Sequence, residues 1–161
     1  MVVTDQVDEL VARHGAMLLA LAHTISNDWA EAEDIVQATY EIALRNLHRL
    51  REPAAARAWL LRIESREAFR IQRRMRRFVS LEFHVQEKGD IGGAEGGASA
   101  DESVDVRRAI AGLPPRTRAA LMLHHYCGLS VEETAAALGV SPNTVKTQLR
   151  KGLSRVREEL R

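Results

Sequence analysis

This sequence lacks most of what catalysis, secretion or membrane insertion would need. A single cysteine, Cys127, excludes an internal disulfide and any multi-cysteine zinc site. No apolar run approaches the roughly 18 to 20 residues of a membrane span. The N-terminus has no basic stretch leading into an apolar one, so the chain reads as soluble and cytoplasmic, without membrane insertion. No glycine-rich loop ends in Lys-Ser or Lys-Thr. His14, His23, His48 and His84 show no ligand spacing, and the adjacent His124 and His125 point to different faces of a helix. No metal and no cofactor are therefore expected. Serine, histidine and acidic residues are scattered rather than grouped as a triad, which predicts a protein that is not an enzyme. Aromatics make only 4 % of the chain, whereas alanine, leucine and arginine dominate. Strands favour β-branched and aromatic residues, so this composition predicts helices. At 161 residues and 45 % hydrophobic, the chain can bury one core or two small ones.

What is present is charge in blocks. Residues 1–50 carry a net −5 and residues 51–88 a net +5. Residues 89–105 are purely acidic, at −5, and residues 106–161 carry +6. Two basic segments separated by an acidic one suggest two polyanion-binding surfaces, and solvated helix faces are the plainer reading of the same blocks.

Periodicity divides the chain. Val7, Leu10, Val11, His14, Met17, Leu18, Leu21 and Ile25 repeat at helical spacing until Ser26-Asn27-Asp28 breaks the pattern. Asp28, with Glu31 three residues on, resembles a capping box and opens a second helix. Its stripe is Ala32, Ile35, Val36, Tyr40, Ala43, Leu44 and Leu47. Pro53 sits where a third helix should begin, running through Trp59, Leu60 and Ile63 to about Arg77. From Phe78 to Asp105 periodicity is lost, and the glycine-rich run from Gly89 to Ser99 reads as a flexible linker. A second helical block starts near Ser103 and is interrupted at Leu113-Pro114-Pro115.

The C-terminal block carries the sharpest pattern. Arg118 to Cys127 is predicted helical, with Ala119, Leu121, Met122 and Tyr126 available for a core and Gly128 placed to end it. Ser130 and Glu133 form a capping box for a helix over Val131 to Leu138. Gly139 permits a left-handed turn, Ser141 caps the next helix and Pro142 takes its first position. A short helix, a tight turn and a longer helix make a helix-turn-helix. The last helix sets Val145, Leu149, Leu153, Val156 and Leu160 on one side. Its other side shows Asn143, Thr144, Lys146, Thr147, Gln148, Arg150 and Lys151. A recognition helix needs such a polar, basic N-terminal half to enter the major groove; an ordinary amphipathic helix with a solvated face is the alternative.

Here the resemblance becomes specific. Leu113-Pro114-Pro115-Arg116, Gly128-Leu129-Ser130, Glu133, Leu138-Gly139-Val140-Ser141 and Thr144-Val145-Lys146 resemble region 4 of bacterial sigma factors, most closely the extracytoplasmic-function group. That resemblance implies binding to the promoter −35 element and to the flap of RNA polymerase. Ala32-Glu33-Asp34-Ile35-Val36-Gln37 resembles sigma region 2.2, which implies that Glu33, Asp34, Gln37 and Glu41 meet the clamp helices of core polymerase. Arg57-Ala58-Trp59-Leu60-Leu61-Arg62-Ile63 resembles the start of region 2.3, and the remainder of that predicted helix resembles region 2.4, the segments that hold and melt the −10 element.

On that helix Arg66, Arg70, Arg73 and Arg77 fall on one face with Arg62, where cations can neutralise phosphates. Trp59 and Phe69 can stack on bases or pack in the core. Glu64-Ser65-Arg66 departs from the Ala-Arg-Asn of many members, and the loop from Arg49 to Ala56 lacks aromatics. A cation at 66 predicts a −10 contact that leans on backbone charge more than on amide readout.

The sequence thus predicts an all-α chain of two small helical domains joined by a flexible linker. Residues 1–78 are read as a region 2-like domain, 79–104 as an acidic, glycine-rich linker, and 105–161 as a region 4-like helix-turn-helix domain. The expected partners are core RNA polymerase, promoter DNA and, as a further candidate, an anti-sigma factor. A stand-alone helix-turn-helix regulator is the rival reading; it leaves the 32–37 motif without a role.

Overall fold

The structure is a computed structural model and describes residues 2–79 and 100–161. Among those residues all regular structure is helical. Three long helices come first: α1 (Val2–Ser26), α2 (Trp29–Arg45) and α3 (Ala56–Val79), with short 3₁₀ turns at Leu47–Arg49 and Pro53–Ala55 between the last two. Then come α4 (Ala100–Ala111), α5 (Pro115–Leu121), α6 (Val131–Leu138) and α7 (Pro142–Glu159).

Local chemistry explains where these helices start and stop. Asn27 takes the left-handed φ of +56° that reverses the chain after α1, a conformation asparagine tolerates better than most residues. Asp28 then caps α2, its Oδ1 accepting from the Glu31 backbone N–H at 2.8 Å. Ser130 and Glu133 form the full reciprocal capping box on α6. Gly139 supplies φ +67° at the end of α6, and the Ser141 hydroxyl accepts from the Thr144 backbone N–H to start α7. The helix-turn-helix forms with the caps its sequence predicts.

Helices α1, α2 and α3 pack on one another through Leu18, Leu21, Ile25, Ala32, Ile35, Leu60 and Leu61, all fully buried. Thr39, also fully buried in α2, satisfies its hydroxyl on the Ile35 carbonyl at 2.8 Å. In the C-terminal half α7 lies across α5 and α6, with Val145 and Leu149 inward.

Two details depart from the sequence expectation. Helix α4 begins at Ala100, so residues 100–104, read as linker, are helical. Val79, at the other end of the expected linker, closes α3, and residues 80–99, including the run from Gly89 to Ser99, lie outside the described residues. The helix expected from Arg118 to Cys127 changes at Met122 into a π-helical turn, Met122–Tyr126, in which the Cys127 N–H donates to the Met122 carbonyl at 2.9 Å. A π turn takes one extra residue and so shifts the phase of the residues after it. Leu123 and Cys127 become buried, and Tyr126, expected in the core, is 63 % exposed.

The packing of the two halves against each other is legible in no sequence motif. Helix α3 packs on α6, α1 packs on α5 and the π turn, and the buried residues of both halves form one continuous core. The Arg118 guanidinium, from α5, crosses into the first half. Its Nε donates to the Thr24 carbonyl at 2.8 Å and its Nη2 to the Ile25 carbonyl at 2.9 Å. Its Nη1 donates to Leu113 and Ala111 carbonyls of its own half at 2.7 and 3.3 Å. The last carbonyls of α1 have no partner within their helix, and a cation there also suits the helix dipole. Gln72 of α3 donates to the Ile25 carbonyl as well, at 2.7 Å. Beside this clasp the Arg116 guanidinium lies 4.7 Å over the Phe69 ring and donates to the Leu138 carbonyl.

Candidate nucleic-acid and polymerase interfaces

Helix α7 buries Val145, Leu149 and Gly152 and turns its opposite side outward. Asn143, Thr144, Lys146, Arg150 and Lys151 are exposed, and Thr147 and Gln148 are half-buried. The Thr144 hydroxyl lies 2.9 Å from that of Ser141, so it is engaged in the cap. Gly152 lets α7 approach α5 closely: a Cβ there would sit 2.9 Å from Thr117 Cγ2 and 3.0 Å from Leu121 Cδ1. That close crossing leaves an open depression of about 420 Å³ in which Thr117 of α5 joins Asn143, Thr144, Thr147, Gln148 and Lys151. Thr117 escaped the sequence reading. The only signal for it is a glycine inside an otherwise good helix, where propensity disfavours it and close packing explains it.

Helix α3 is buried along one broad side and exposed along the other. Arg62, Arg66, Arg73 and Arg77 are exposed on the side turned away from Leu61 and Ala68, Phe69 borders that side at i+3 from Arg66, and Trp59 beside them is half-buried. Phe69 belongs to the core. Arg70 is exposed but held: its Nη2 donates to Glu67 at 2.8 Å and its Nε to both Glu67 oxygens. The Glu67 hydrogen bond raises the Arg70 pKa further, so the guanidinium stays charged within an ion pair of its own helix.

Helix α2 exposes Glu33, Asp34, Gln37 and Glu41. Glu33, Gln37 and Glu41 edge an apolar groove of about 540 Å³ whose walls include Val11 and Leu19 of α1 and Val36 and Leu44 of α2. Val11 and Leu44 are both close to half exposed. An apolar floor with an acidic and amide rim fits a partner helix carrying apolar and basic side chains.

Among the described residues, no three of His, Cys, Asp and Glu come together as a metal site would require, and no helix is long and apolar enough to cross a membrane. Burial pushes the Cys127 thiol up to about 12, with the nearby Glu64 adding to the rise, so it is an unreactive buried thiol.

The fold and its surfaces define a helical protein of the helix-turn-helix class, with a second, arginine-rich helix packed against α6. Comparison with known proteins narrows the class. Residues 10–78 match the family Sigma-70 region 2, and residues 103–156 match Sigma-70, region 4. The RNA polymerase sigma-E factor of Streptomyces coelicolor is 30 % identical over 155 residues, which cover 95 % of this chain and 85 % of that one. The ECF RNA polymerase sigma factor SigE of Mycolicibacterium smegmatis is 29 % identical over 158 residues, and the match spans 61 % of its length. Among solved structures, the sigma factor RpoE in complex with the anti-sigma factor NepR from Bartonella quintana superposes with a TM-score of 0.80 at 25 % identity, covering 97 % of this chain and 96 % of that one. CnrH in complex with the cytosolic domain of CnrY gives a TM-score of 0.66 at 26 % identity, covering 98 % and 88 %. The chain belongs to the sigma-70 family, in its extracytoplasmic-function group of alternative sigma factors.

Proposed function

We propose that this chain binds core RNA polymerase and directs promoter-specific transcription initiation, without catalytic chemistry of its own and in the cytoplasm. Residues 1–78 serve as the polymerase and −10 unit, and residues 105–161 serve as the −35 unit and meet the polymerase flap. The observation that carries this reading is the outward polar face of α7, set on a fully capped helix-turn-helix, in a chain that also exposes the α3 arginines. A stand-alone regulator would use the first surface and leave the second idle. RpoE is seen with the anti-sigma factor NepR and CnrH with the cytosolic domain of CnrY, and an anti-sigma factor is a further partner for this chain.

Run-off transcription with purified core polymerase on genomic fragments tests the reading. Transcripts that appear only when this chain is added are expected; operator binding without any polymerase dependence would favour the regulator. Asp34→Lys is expected to weaken core binding about tenfold or more, about 1.4 kcal/mol, with helix content unchanged. Pull-down at wild-type strength would remove Asp34 from the contact.

On the −35 side, Lys151→Ala is expected to lower the salt slope of promoter binding by about one phosphate equivalent. An unchanged slope, affinity and sequence preference would show that the wrong face of α7 was assigned. On the −10 side, Arg66 has Arg62 and Arg70 at helical neighbour spacing. The acid nearest in the chain on its C-terminal side, Glu67, is bound to Arg70. Arg66 is therefore expected to face phosphate. Arg66→Ala should slow open-complex formation and weaken its salt dependence, and Arg66→Asn should alter the preference among −10 variants. Wild-type melting of every variant by both proteins would end that role.

A further inference from the structure

Glu64 occupies a position at which the family resemblance places alanine, and the structure buries it completely. Neither carboxyl oxygen has a hydrogen-bond partner. It sits on α3, the helix shared between the two halves. Among the described residues, Tyr40 of α2 and Cys127, just after the π turn, are titratable groups on packed elements that lie near enough to feel its charge. Its own helix supplies Arg57, whose guanidinium lies toward Gly128, close enough that a Cβ there would meet it at 3.6 Å. Arg57 also bears on Cys127 and on His14 of α1, yet no hydrogen bond from it reaches Glu64. Arg57 and Glu64 are seven apart and so share one side of α3, the side on which Gly128 and Cys127 of the C-terminal half approach a carboxyl that no donor reaches.

We propose that Glu64 links the closure of the two halves to protons: the closed packing holds its carboxyl neutral, and parting of the halves lets it ionise in water. A buried carboxylate with no donor is costly, whereas the neutral acid is far less so. Burial accordingly raises the Glu64 pKa well above its ordinary value of 4.5. The closed form therefore binds the proton more tightly than the open form, so closure is fully supported below about 4.5 and weakens as pH rises toward the raised value. Within that window each pH unit shifts the ratio of closed to open about tenfold toward open. The closed chain holds its two halves in one core, and the open chain frees them to reach two separate promoter elements. Only that consequence rests on the proposed function.

Small-angle X-ray scattering of the full chain between about pH 5 and pH 8.5 tests the proposal without polymerase or DNA. The wild type is expected near the roughly 15 Å radius of gyration of a compact chain of this length at the acid end. Its radius should grow by several ångströms toward the alkaline end, with helix content by circular dichroism unchanged. Glu64→Gln and Glu64→Ala should both stay at the acid-end radius throughout. His14 and the surface carboxylates remain in both variants, so they cannot produce the difference. A wild-type radius that does not move, a rise accompanied by loss of helix, or variants that follow the wild type would each overturn the proposal. Loss of transcription with this pH response intact would count against the proposed function instead.

Discussion

Arg118→Ala is expected to lower the unfolding free energy by about 3 kcal/mol or more, because hydrogen bonds from charged donors are worth about 1.5 to 3 kcal/mol each and this guanidinium makes several. It is 6 % exposed and donates to four carbonyls, two at the end of α1 and two of its own half. Alanine would leave the Thr24 carbonyl without this donor and leave Ile25 with Gln72 alone. The first effect is on closure and the second on the turn before α5, where the Leu113 carbonyl loses its donor. Urea unfolding followed by circular dichroism measures the sum, and scattering from the same samples before unfolding measures the opening. Arg118→Lys keeps the charge but cannot spread donors over four acceptors, so it should recover only a minor part of the loss. A midpoint for Arg118→Ala within error of the wild type would show that the clasp contributes nothing.

Gly152→Val is expected to weaken −35 binding at least tenfold, about 1.4 kcal/mol, while the chain remains folded. Even a Cβ at this position would lie 2.9 Å from Thr117 and 3.0 Å from Leu121, and a branched side chain must push α7 away from α5. Overpacking of this kind costs about 1 to 3 kcal/mol of stability. The larger consequence is geometric. Lys151, Gln148 and Thr147 stand around the same crossing, so tilting α7 moves them together relative to Asn143 and to Thr117. A recognition surface misplaced by about an ångström loses its aligned contacts to base edges first and its phosphate contacts last. Fluorescence anisotropy with a −35 duplex is the measurement. Loss of sequence preference before loss of salt-dependent affinity is the expected order. Equal affinity and preference in wild type and variant would mean that the close crossing does not position the recognition helix.

Arg118 and Gly152 act through tertiary contacts, whereas the elements that carry them are readable in the sequence. The helix-turn-helix is encoded in short-range chemistry: Ser130 and Glu133 are three apart, Gly139 ends α6, and Ser141 starts α7. Each of these groups meets its partner within one turn, so a linear reading finds it. The arginines of α3 were legible as a face for the same reason, since helical spacing alone sets them side by side. The Glu67–Arg70 pair also stands at readable spacing, and it changes what the stripe presents: Arg70 is a cation already engaged.

By itself the sequence determined the helices, their caps, the order of the region 2 and region 4 segments and the family, because capping, periodicity and motif are written within a few residues of one another. Only the tertiary structure decided that Tyr126 points outward, that Glu64 is buried without a hydrogen-bond partner, that Thr117 borders the polar face of α7, and that the two halves share one core. The physical reason is separation along the chain. Arg118 meets the Thr24 carbonyl across 94 residues. Such a contact forms because the last carbonyls of a helix have no partner within it, and no local pattern records which distant guanidinium will reach them.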